Sequence, residues 1–197
     1  FSPRGVLSYT AGEYKNHNFR VSYQTGFRTP TTQDLFICLD AGQARVVGSG
    51  DGNPGRFVRD YGVSIAGQSL GIPASVTLTG DAAYNNAYEA SSVQAFAATG
   101  NPALLNVADV DYVKPEQMQS MEFGYRGKLS RTFTIDAAVY RNDFQDFINT
   151  QVVLAPLYGE VGDGGLSVLA MANSDFETYS AYTNSPAEIS SWGMAIG

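Results

Sequence analysis

The chain has 197 residues, a formal net charge of −7 and only 16% charged residues. Its 12 Lys and Arg form no basic run, which argues against a nucleic-acid partner. There is no stretch of about 18 apolar residues, which argues against a transmembrane helix. Cys38 is the single cysteine, so an internal disulfide is excluded and we expect a buried or incidental thiol.

Alternating apolar and polar side chains predict five β-strands, at residues 4–10, 18–28, 117–129, 131–142 and 188–197. The second strand is the clearest, because its odd-numbered positions are almost all apolar and its even-numbered positions are polar, charged or glycine. Such a strand has one apolar and one polar face. The apolar face of this strand carries Phe19, Val21, Tyr23, Thr25 and Phe27, and the polar face carries Asn18, Arg20, Ser22, Gln24, Gly26 and Arg28.

The connections between these strands alternate in length. Residues 10–17 and 127–131 are short turns, whereas residues 29–113 and 149–187 are long and leave the same edge of the sheet. Outer-membrane barrels have short periplasmic turns and long extracellular loops, and the 12 Tyr and 11 Phe suit their aromatic girdles. The predicted fold class is therefore all-β, an antiparallel transmembrane β-barrel segment of about five strands with long extracellular loops.

Five strands cannot close around a useful lumen, and an open sheet edge is not tolerated in lipid. We therefore expect the chain to be one partial barrel domain, residues 1–197, of a larger polypeptide that supplies the other strands. No signal peptide is recognised, and both ends of the sequence have the pattern of strands.

The long segments contain the candidate ligand-binding residues. Residues 81–99 are rich in alanine and could form a short helix that carries Tyr84, Tyr88 and Phe96. These rings could form an aromatic platform for a sugar or an aromatic chelate, although packing of loop against loop explains them equally well. The Asp-Gly clusters around Asp51 and Asp163 lack the carboxylate spacing of an EF-hand, so flexible turns are favoured over a calcium site.

The sequence offers little for catalysis. His17 is the single histidine and lies in a predicted periplasmic turn, far from both long loops, so a serine-hydrolase arrangement is disfavoured. We expect no enzyme activity, no metal site and no cofactor.

Several short motifs resemble the barrel of TonB-dependent outer-membrane receptors. The segment Gly26-Phe27-Arg28-Thr29-Pro30-Thr31 is similar to the GFR-x-P-T signature of that family. Four further segments agree with it in order and spacing, and together the motifs cover about 80 residues of strands and strand ends. These segments are Ser2-Pro3-Arg4, Val113-Lys114-Pro115-Glu116, Glu122-Phe123-Gly124-Tyr125-Arg126-Gly127, and Tyr140-Arg141-Asn142-Asp143-Phe144 followed by Asp146-Phe147-Ile148.

The resemblance implies a 22-stranded barrel in the bacterial outer membrane, with a plug domain in its lumen, that imports a scarce nutrient with energy from the TonB complex. Neither a plug nor a TonB box is recognised in this sequence. The implied partners are the rest of the barrel, its plug, the TonB complex, outer-membrane lipid and a small-molecule, glycan or peptide ligand. A surface lipoprotein lid is a further implied partner if that ligand is a glycan or peptide.

The family motif also has a physical interpretation. Arg28 would project to the lumen, Gly26 would let another backbone approach, and Pro30 would end the hydrogen-bond ladder. A structural corner is favoured over direct ligand contact for Gly26, Phe27, Arg28 and Pro30. Charged side chains on the polar face are likewise expected to form barrel-wall ion pairs or plug contacts, namely Arg20, Glu122, Arg126 and Asp136.

Two alternatives remain open from the sequence. A secreted β-sandwich binding module would bury the apolar faces against a second sheet, but it would have long loops at both ends. A passive outer-membrane porin would differ only by lacking a plug. The substrate is not indicated: siderophore, cobalamin, oligosaccharide and peptide importers share these barrel motifs.

Overall fold

The structure, a computed structural model, describes residues 2–197. No helix in this part of the chain is both long enough and apolar enough to cross a bilayer. The strands are, in chain order, β1 (Arg4–Ala11), β2 (His17–Arg28), β3 (Cys38–Asp40), β4 (Arg45–Val47), β5 (Val58–Gly62), β6 (Ser75–Thr79), β7 (Tyr88–Glu89), β8 (Glu116–Lys128), β9 (Thr134–Gln145), β10 (Ile148–Pro156), β11 (Phe176–Asn184) and β12 (Ile189–Ile196).

Six short α-helices lie between these strands, and none of them is longer than the 10 residues of the fifth. They are α1 (Thr32–Phe36), α2 (Asn53–Arg56), α3 (Ile65–Ser69), α4 (Ala82–Asn85), α5 (Ala90–Thr99) and α6 (Leu166–Ala172). All six fall in the two long loops, where the sequence indicates only one short helix between residues 81 and 99.

The chain divides into two compact units. The first, here called the barrel sheet, comprises residues 2–29, 115–147 and 185–197, and the second, here called the loop unit, comprises residues 30–114 and 148–184. The barrel sheet consists of the two ends of the chain and its middle, whereas the loop unit consists of the two long insertions.

The barrel sheet has five strands in the order β1-β2-β8-β9-β12, and every neighbouring pair is antiparallel. The predicted fold class, five strands of an antiparallel barrel with long loops, is confirmed. Each strand overlaps one of the predicted segments, and the largest difference is in β9, which begins at Thr134 because residues 129–133 form the turn before it.

The register of the barrel sheet places most apolar side chains of its central rows on one face. Val21 lies opposite Phe123, and Phe123 lies opposite Val139, so these three side chains share one face. All three remain exposed, as do the neighbouring Leu7 and Met194. A sheet that leaves its apolar face uncovered in this way suits contact with lipid, whereas a β-sandwich would bury the same face.

The apolar face ends at a defined level near the long insertions. Trp192 lies opposite Arg141, whose guanidinium carbon is 5.2 Å from the centroid of the indole ring. Two residues further along each strand, toward the long insertions, the same face carries Gln119, Asp143 and Ser190. Tryptophan and arginine side chains suit the boundary between lipid and water.

The opposite face of the barrel sheet is polar and contains ion pairs. Arg20 donates to Glu122 at 2.5 Å, and Asn18 donates to the hydroxyls of Ser8 and Thr10 at 3.0 Å. Arg126 and Asp136 lie opposite each other in β8 and β9, yet no ion pair within 4 Å joins them in the described structure. Of the charged residues expected to form wall pairs, only Arg20 and Glu122 pair with each other.

Aromatic side chains lie over glycines at two places in the barrel sheet. The His17 ring and the Tyr125 hydroxyl are hydrogen-bonded at 2.8 Å, and the Phe19 ring centroid lies 5.0 Å from that of Tyr125. The Tyr125 ring also lies over Gly127, where a side chain would overlap it, and Tyr140 lies over Gly193 in the same manner. Glycine is therefore required at both positions for the rings to lie flat on the sheet.

The loop unit has its own five-stranded sheet, in the order β3-β4-β11-β10-β7. The pair β4 and β11 is parallel, and it joins one long insertion to the other. β5 and β6 form a separate hairpin. Cys38, on β3, is exposed, which makes the buried-thiol alternative wrong.

Candidate ligand-binding unit

The loop unit folds around a dry interior that both insertions supply. Val47 comes from the first insertion, Val153 and Tyr179 come from the second, and each of the three has 0% of its surface exposed. Burial of an apolar side chain of this size stabilises a fold by about 1.5–3 kcal/mol. Neither insertion could form this core alone, so the two long loops fold as one unit.

A buried carboxylate fixes one side of the loop unit. Asp175, 3% exposed, accepts hydrogen bonds at 2.8 Å from the backbone N–H and the hydroxyl of Ser64 and from the hydroxyl of Tyr158. Ser64 is the N-cap of α3, and a Cβ at Gly67 would lie 2.6 Å from the carboxylate. Burial, together with the hydrogen bond to Asp175, raises the pKa of Tyr158.

A second polar network holds the glycine-rich turn at residues 159–165. Asp163 accepts from the backbone N–H groups of Gly165 and Glu160 and from the Ser167 hydroxyl, at 2.7–3.1 Å. The N–H of Gly165 and the hydroxyl of Ser167 lower the pKa of Asp163. The carboxylate is thus hydrogen-bonded within its own turn. Among residues 2–197, no group of three or more potential metal ligands occurs.

Tyr88, one of the three predicted ligand-binding residues, belongs to this same network. It is 2% exposed, its hydroxyl is 2.8 Å from Ser167 Oγ, and it accepts from the N–H of Gly162 at 3.3 Å. Phe96, on α5, is buried in the same hydrophobic cluster as Tyr88. Both rings therefore contact other loop residues, and their role in ligand binding stays a prediction.

Tyr84, the third predicted residue, lies in a different cluster. Its hydroxyl donates to the carbonyls of Val47 and Tyr182, at 3.2 and 3.0 Å, and burial raises its pKa. Its ring stacks on Tyr112, with a centroid distance of 4.7 Å, and Tyr112 is 47% exposed. The structure therefore does not bring the three predicted rings together into one platform.

Tyr112 has features that the sequence alone does not reveal. Its ring is held on one side by Tyr84, and burial, followed by the charges of Asp81 and Asp51, raises the pKa of its hydroxyl. An exposed aromatic ring with carboxylates nearby can stack on an apolar ligand face while the carboxylates accept hydrogen bonds. Tyr112 lies outside the Ala-rich segment that suggested the other rings.

The family motif lies where β2 ends. Arg28 is opposite Glu116 in the register, and its guanidinium donates to both carboxylate oxygens, at 2.7 and 2.6 Å. Gly26 lies opposite Met118, whose Cε would be 3.3 Å from an added Cβ. Phe27 is exposed on the apolar face. Arg28 and Glu116 thus form a bidentate ion pair at the last paired position of β2 and β8, as expected for a structural corner. The role of the motif residues Gly26, Phe27, Arg28 and Pro30 stays a prediction.

Pro30 follows the last paired residue of β2 and precedes a helix cap. The Thr31 hydroxyl accepts from the Asp34 N–H, and the Asp34 carboxylate accepts from the Thr31 N–H, which forms a capping box for α1. The chain therefore passes from strand to helix within four residues, because proline cannot donate to the ladder and the box satisfies the first helical donors.

An open, five-stranded antiparallel sheet with one lipid-suited face, one polar face and two long insertions at the same end defines a segment of an outer-membrane β-barrel. The family model described as TonB dependent receptor-like, beta-barrel, matches residues 1–196, so the chain belongs to this family. The family is found in the bacterial outer membrane, where it acts in transport. No curated protein and no solved structure matches this chain.

Proposed function

We propose that this chain is part of a TonB-dependent importer that captures a scarce nutrient at the cell surface and delivers it to the periplasm. The observation that carries the proposal is the loop unit, because two insertions at the extracellular end share one core and one mixed sheet. Loops that only prevented aggregation or covered the lipid edge would need no common interior. A folded unit keeps its surface groups in fixed positions, which selective binding requires.

Tyr112 is the proposed ligand contact, with Tyr84 as the residue that holds its ring in place. Tyr88 and Phe96 would act indirectly, by fixing α5 and the turn at residues 159–165 to the sheet. The substrate remains one of four classes, namely siderophore, cobalamin, oligosaccharide or peptide. The proposed partners are a plug domain, the TonB complex and the remaining barrel strands, and a surface lipoprotein lid would be added for a glycan or peptide.

The first experiment is to obtain the complete open reading frame and to look for a plug domain and TonB box upstream of residue 1. Their presence would support active import, and uptake by cells should then depend on TonB. If the upstream region encodes neither, a passive porin becomes the better account.

The second experiment tests the loop surface. Tyr112→Ala in the complete receptor should weaken binding of whichever substrate class it imports by about 2- to 12-fold, because stacking on an exposed ring contributes about 0.5–1.5 kcal/mol. Tyr9→Ala is the matched control, since Tyr9 is an exposed tyrosine on β1, outside the loop unit. Equal affinities for the two variants would place the ligand site elsewhere.

A further inference from the structure

The barrel sheet has a polar recess of about 210 Å³ at the end from which the long insertions leave. Three glutamine side chains form part of its walls, namely Gln117 and Gln119 from β8 and Gln145 from β9. Asp143 and Glu188 supply two carboxylates, and Arg141 is the one cation among the lining residues that the structure describes. The recess is therefore rich in amides and acceptor oxygens.

The register places this polar recess on the lipid-facing side of the sheet. Met121 lies opposite Arg141, and two residues further along both strands Gln119 lies opposite Asp143. Because side chains two positions apart share a face, Gln119 and Asp143 continue the face that carries Met121 and Phe123. Gln119 is on the central strand β8, between β2 and β9, so both of its neighbouring strands belong to this chain.

An apolar recess of about 300 Å³ adjoins the polar recess. Its apolar lining consists of Val21, Met121, Phe123, Val139 and Trp192. Arg141 lines both recesses, and its guanidinium carbon is 5.2 Å from the centroid of the Trp192 ring. The face that meets lipid thus continues directly into a polar binding surface. This order of apolar and polar surface matches one lipid molecule, with its acyl chains on the sheet and its head group in the polar recess.

The polar recess has unused hydrogen-bonding capacity. Asp143 accepts from Arg141 and from the Ser190 hydroxyl at 2.5–2.9 Å, and all of these bonds end on Oδ1. Gln145 donates to Oε1 of Glu188 at 3.1 Å. Among residues 2–197, the second oxygen of each carboxylate accepts no hydrogen bond, and the Gln119 amide forms none. Polar groups beside lipid are costly without partners, so a head group that can donate and accept is favoured here.

We propose that the polar recess binds the saccharide head group of an outer-leaflet lipid. The long insertions of such barrels are extracellular, which places the recess at the level of the outer leaflet. Hydroxyl groups both donate and accept, so they match glutamine amides beside free carboxylate oxygens. The volume is below the range of about 300–1,000 Å³ that holds a whole drug-sized ligand, which suits a small head group better than a transported nutrient.

Phospholipid head groups fit the polar recess less well. A phosphate only accepts hydrogen bonds, and Asp143 and Glu188 repel it while Arg141 is already paired with Asp143. An ethanolamine ammonium only donates, so it would leave the N–H groups of the Gln119 amide without an acceptor. The proposed selectivity therefore depends on the chemistry of the head group and not on the acyl chains.

Native mass spectrometry of the complete receptor in an amine-oxide detergent tests this proposal. The probes are three lipids with identical acyl chains, namely glucosyl diacylglycerol, phosphatidylethanolamine and phosphatidylglycerol. The receptor should retain the glucosyl lipid about 2- to 12-fold more than either phospholipid, because its head group forms at least one further hydrogen bond. Equal retention of the three lipids, stronger retention of a phospholipid, or no retained lipid would overturn the proposal.

A pair of matched variants locates the lipid in the polar recess. Gln119→Leu removes the unpaired amide and should lower retention of the glucosyl lipid about 2- to 12-fold. Gln24→Leu is the control, because Gln24 lies opposite Ser120, one position along β8 and on the other face of the sheet. It should leave retention unchanged. Equal losses in the two variants would contradict a site in this recess.

Glu188→Gln distinguishes the two head-group chemistries by the sign of its effect. Loss of the carboxylate charge should weaken retention of the glucosyl lipid, because hydrogen bonds to a charged acceptor are the stronger ones. A phosphate site would instead retain phosphatidylglycerol more strongly once a negative charge is removed, and that outcome would refute a saccharide site. Heat-modifiable migration on gels verifies that each barrel is folded. Nutrient uptake is not a readout, so the result is independent of the importer proposal.

Discussion

The two units of this chain use the same kinds of residue in opposite ways. In the barrel sheet, Val21, Phe123 and Val139 form an exposed apolar face, while ion pairs occupy the other face. In the loop unit, Val47, Val153 and Tyr179 are fully buried, and the charged side chains are at the surface or hydrogen-bonded inside. The solvent explains the difference, because lipid accepts apolar side chains without burial in protein, whereas water does not.

The comparison also shows where each unit is vulnerable. The loop unit depends on close packing of its interior, so a lost side chain leaves a cavity. The barrel sheet depends on main-chain pairing and on a few rings that lie over glycines, so an added side chain is the more damaging change. The following predictions probe this contrast.

The largest effect is expected for Tyr179→Ala. This ring has no exposed surface, and its removal from a packed core should cost the loop unit about 3–5 kcal/mol of unfolding free energy. Phe123→Ala, at a lipid-facing position, should cost less because lipid tails fill the space. Hydrogen exchange of the β10 and β11 amides measures the first effect, and heat-modifiable migration measures the second. Similar losses would remove the contrast between the units.

Asp175→Asn should destabilise the loop unit by about 1–3 kcal/mol. An amide keeps one oxygen and has an NH2 group in place of the other, so either the Ser64 N–H or the hydroxyls of Ser64 and Tyr158 lose their buried acceptor. Asp111→Asn is the control, because the Asp111 side chain is 72% exposed. Limited proteolysis of the folded receptor should cut residues 148–184 faster in the first variant alone.

Gly193→Ala should impair folding of the barrel sheet by about 1–3 kcal/mol, because the new methyl group overlaps the Tyr140 ring. Adding Tyr140→Ala should recover part of this loss, since the overlap then disappears. Gly5→Ala has open space around it and should have little effect. A failure of Tyr140→Ala to rescue would mean that the glycine is needed for another reason.

The ion pair between Arg28 and Glu116 should contribute less to the stability of the barrel than the contacts above. A double-mutant cycle of Arg28→Gln and Glu116→Gln should give a coupling energy of about 0.5–1 kcal/mol, because the pair is bidentate but the Arg28 side chain is 56% exposed. The coupling, measured on the urea midpoint of the barrel, should shrink in high salt. A coupling that is independent of salt would indicate contact geometry instead of charge.

The smallest expected effect is a dependence on pH of the stability of the turn at residues 159–165. The pKa of Asp163 is lowered in the folded loop unit. The stability that its carboxylate contributes is therefore fully present when the pH is above the ordinary pKa of 3.8, and it is lost as the pH falls through the lower pKa of the folded state. Pepsin should therefore cut the turn at residues 159–165 increasingly below about pH 4. Asp163→Asn should be cut already at higher pH, and the difference between the two proteins should vanish in strong acid.

The sequence by itself determined the barrel sheet closely. Residues such as Phe19, Val21 and Tyr23 alternate with polar neighbours, and this period of two specifies a strand and its two faces without reference to the rest of the chain. The positions of the long loops followed from the gaps between strands. The motif around Arg28 was visible as well, because it lies on a strand.

Only the tertiary structure decided the loop unit. Its core joins Val47 to Val153 and Tyr179, more than 100 positions away in the sequence, and no local period indicates such contacts. Tyr84, Tyr88 and Phe96 were recognisable as aromatic, but burial depends on what packs over them, and the exposed ring proved to be Tyr112. The two short turns of the barrel sheet lie side by side for the same reason, because they meet only when β2 pairs with β8. Local alternation encodes a strand in lipid, whereas a core in water is encoded by contacts between distant residues.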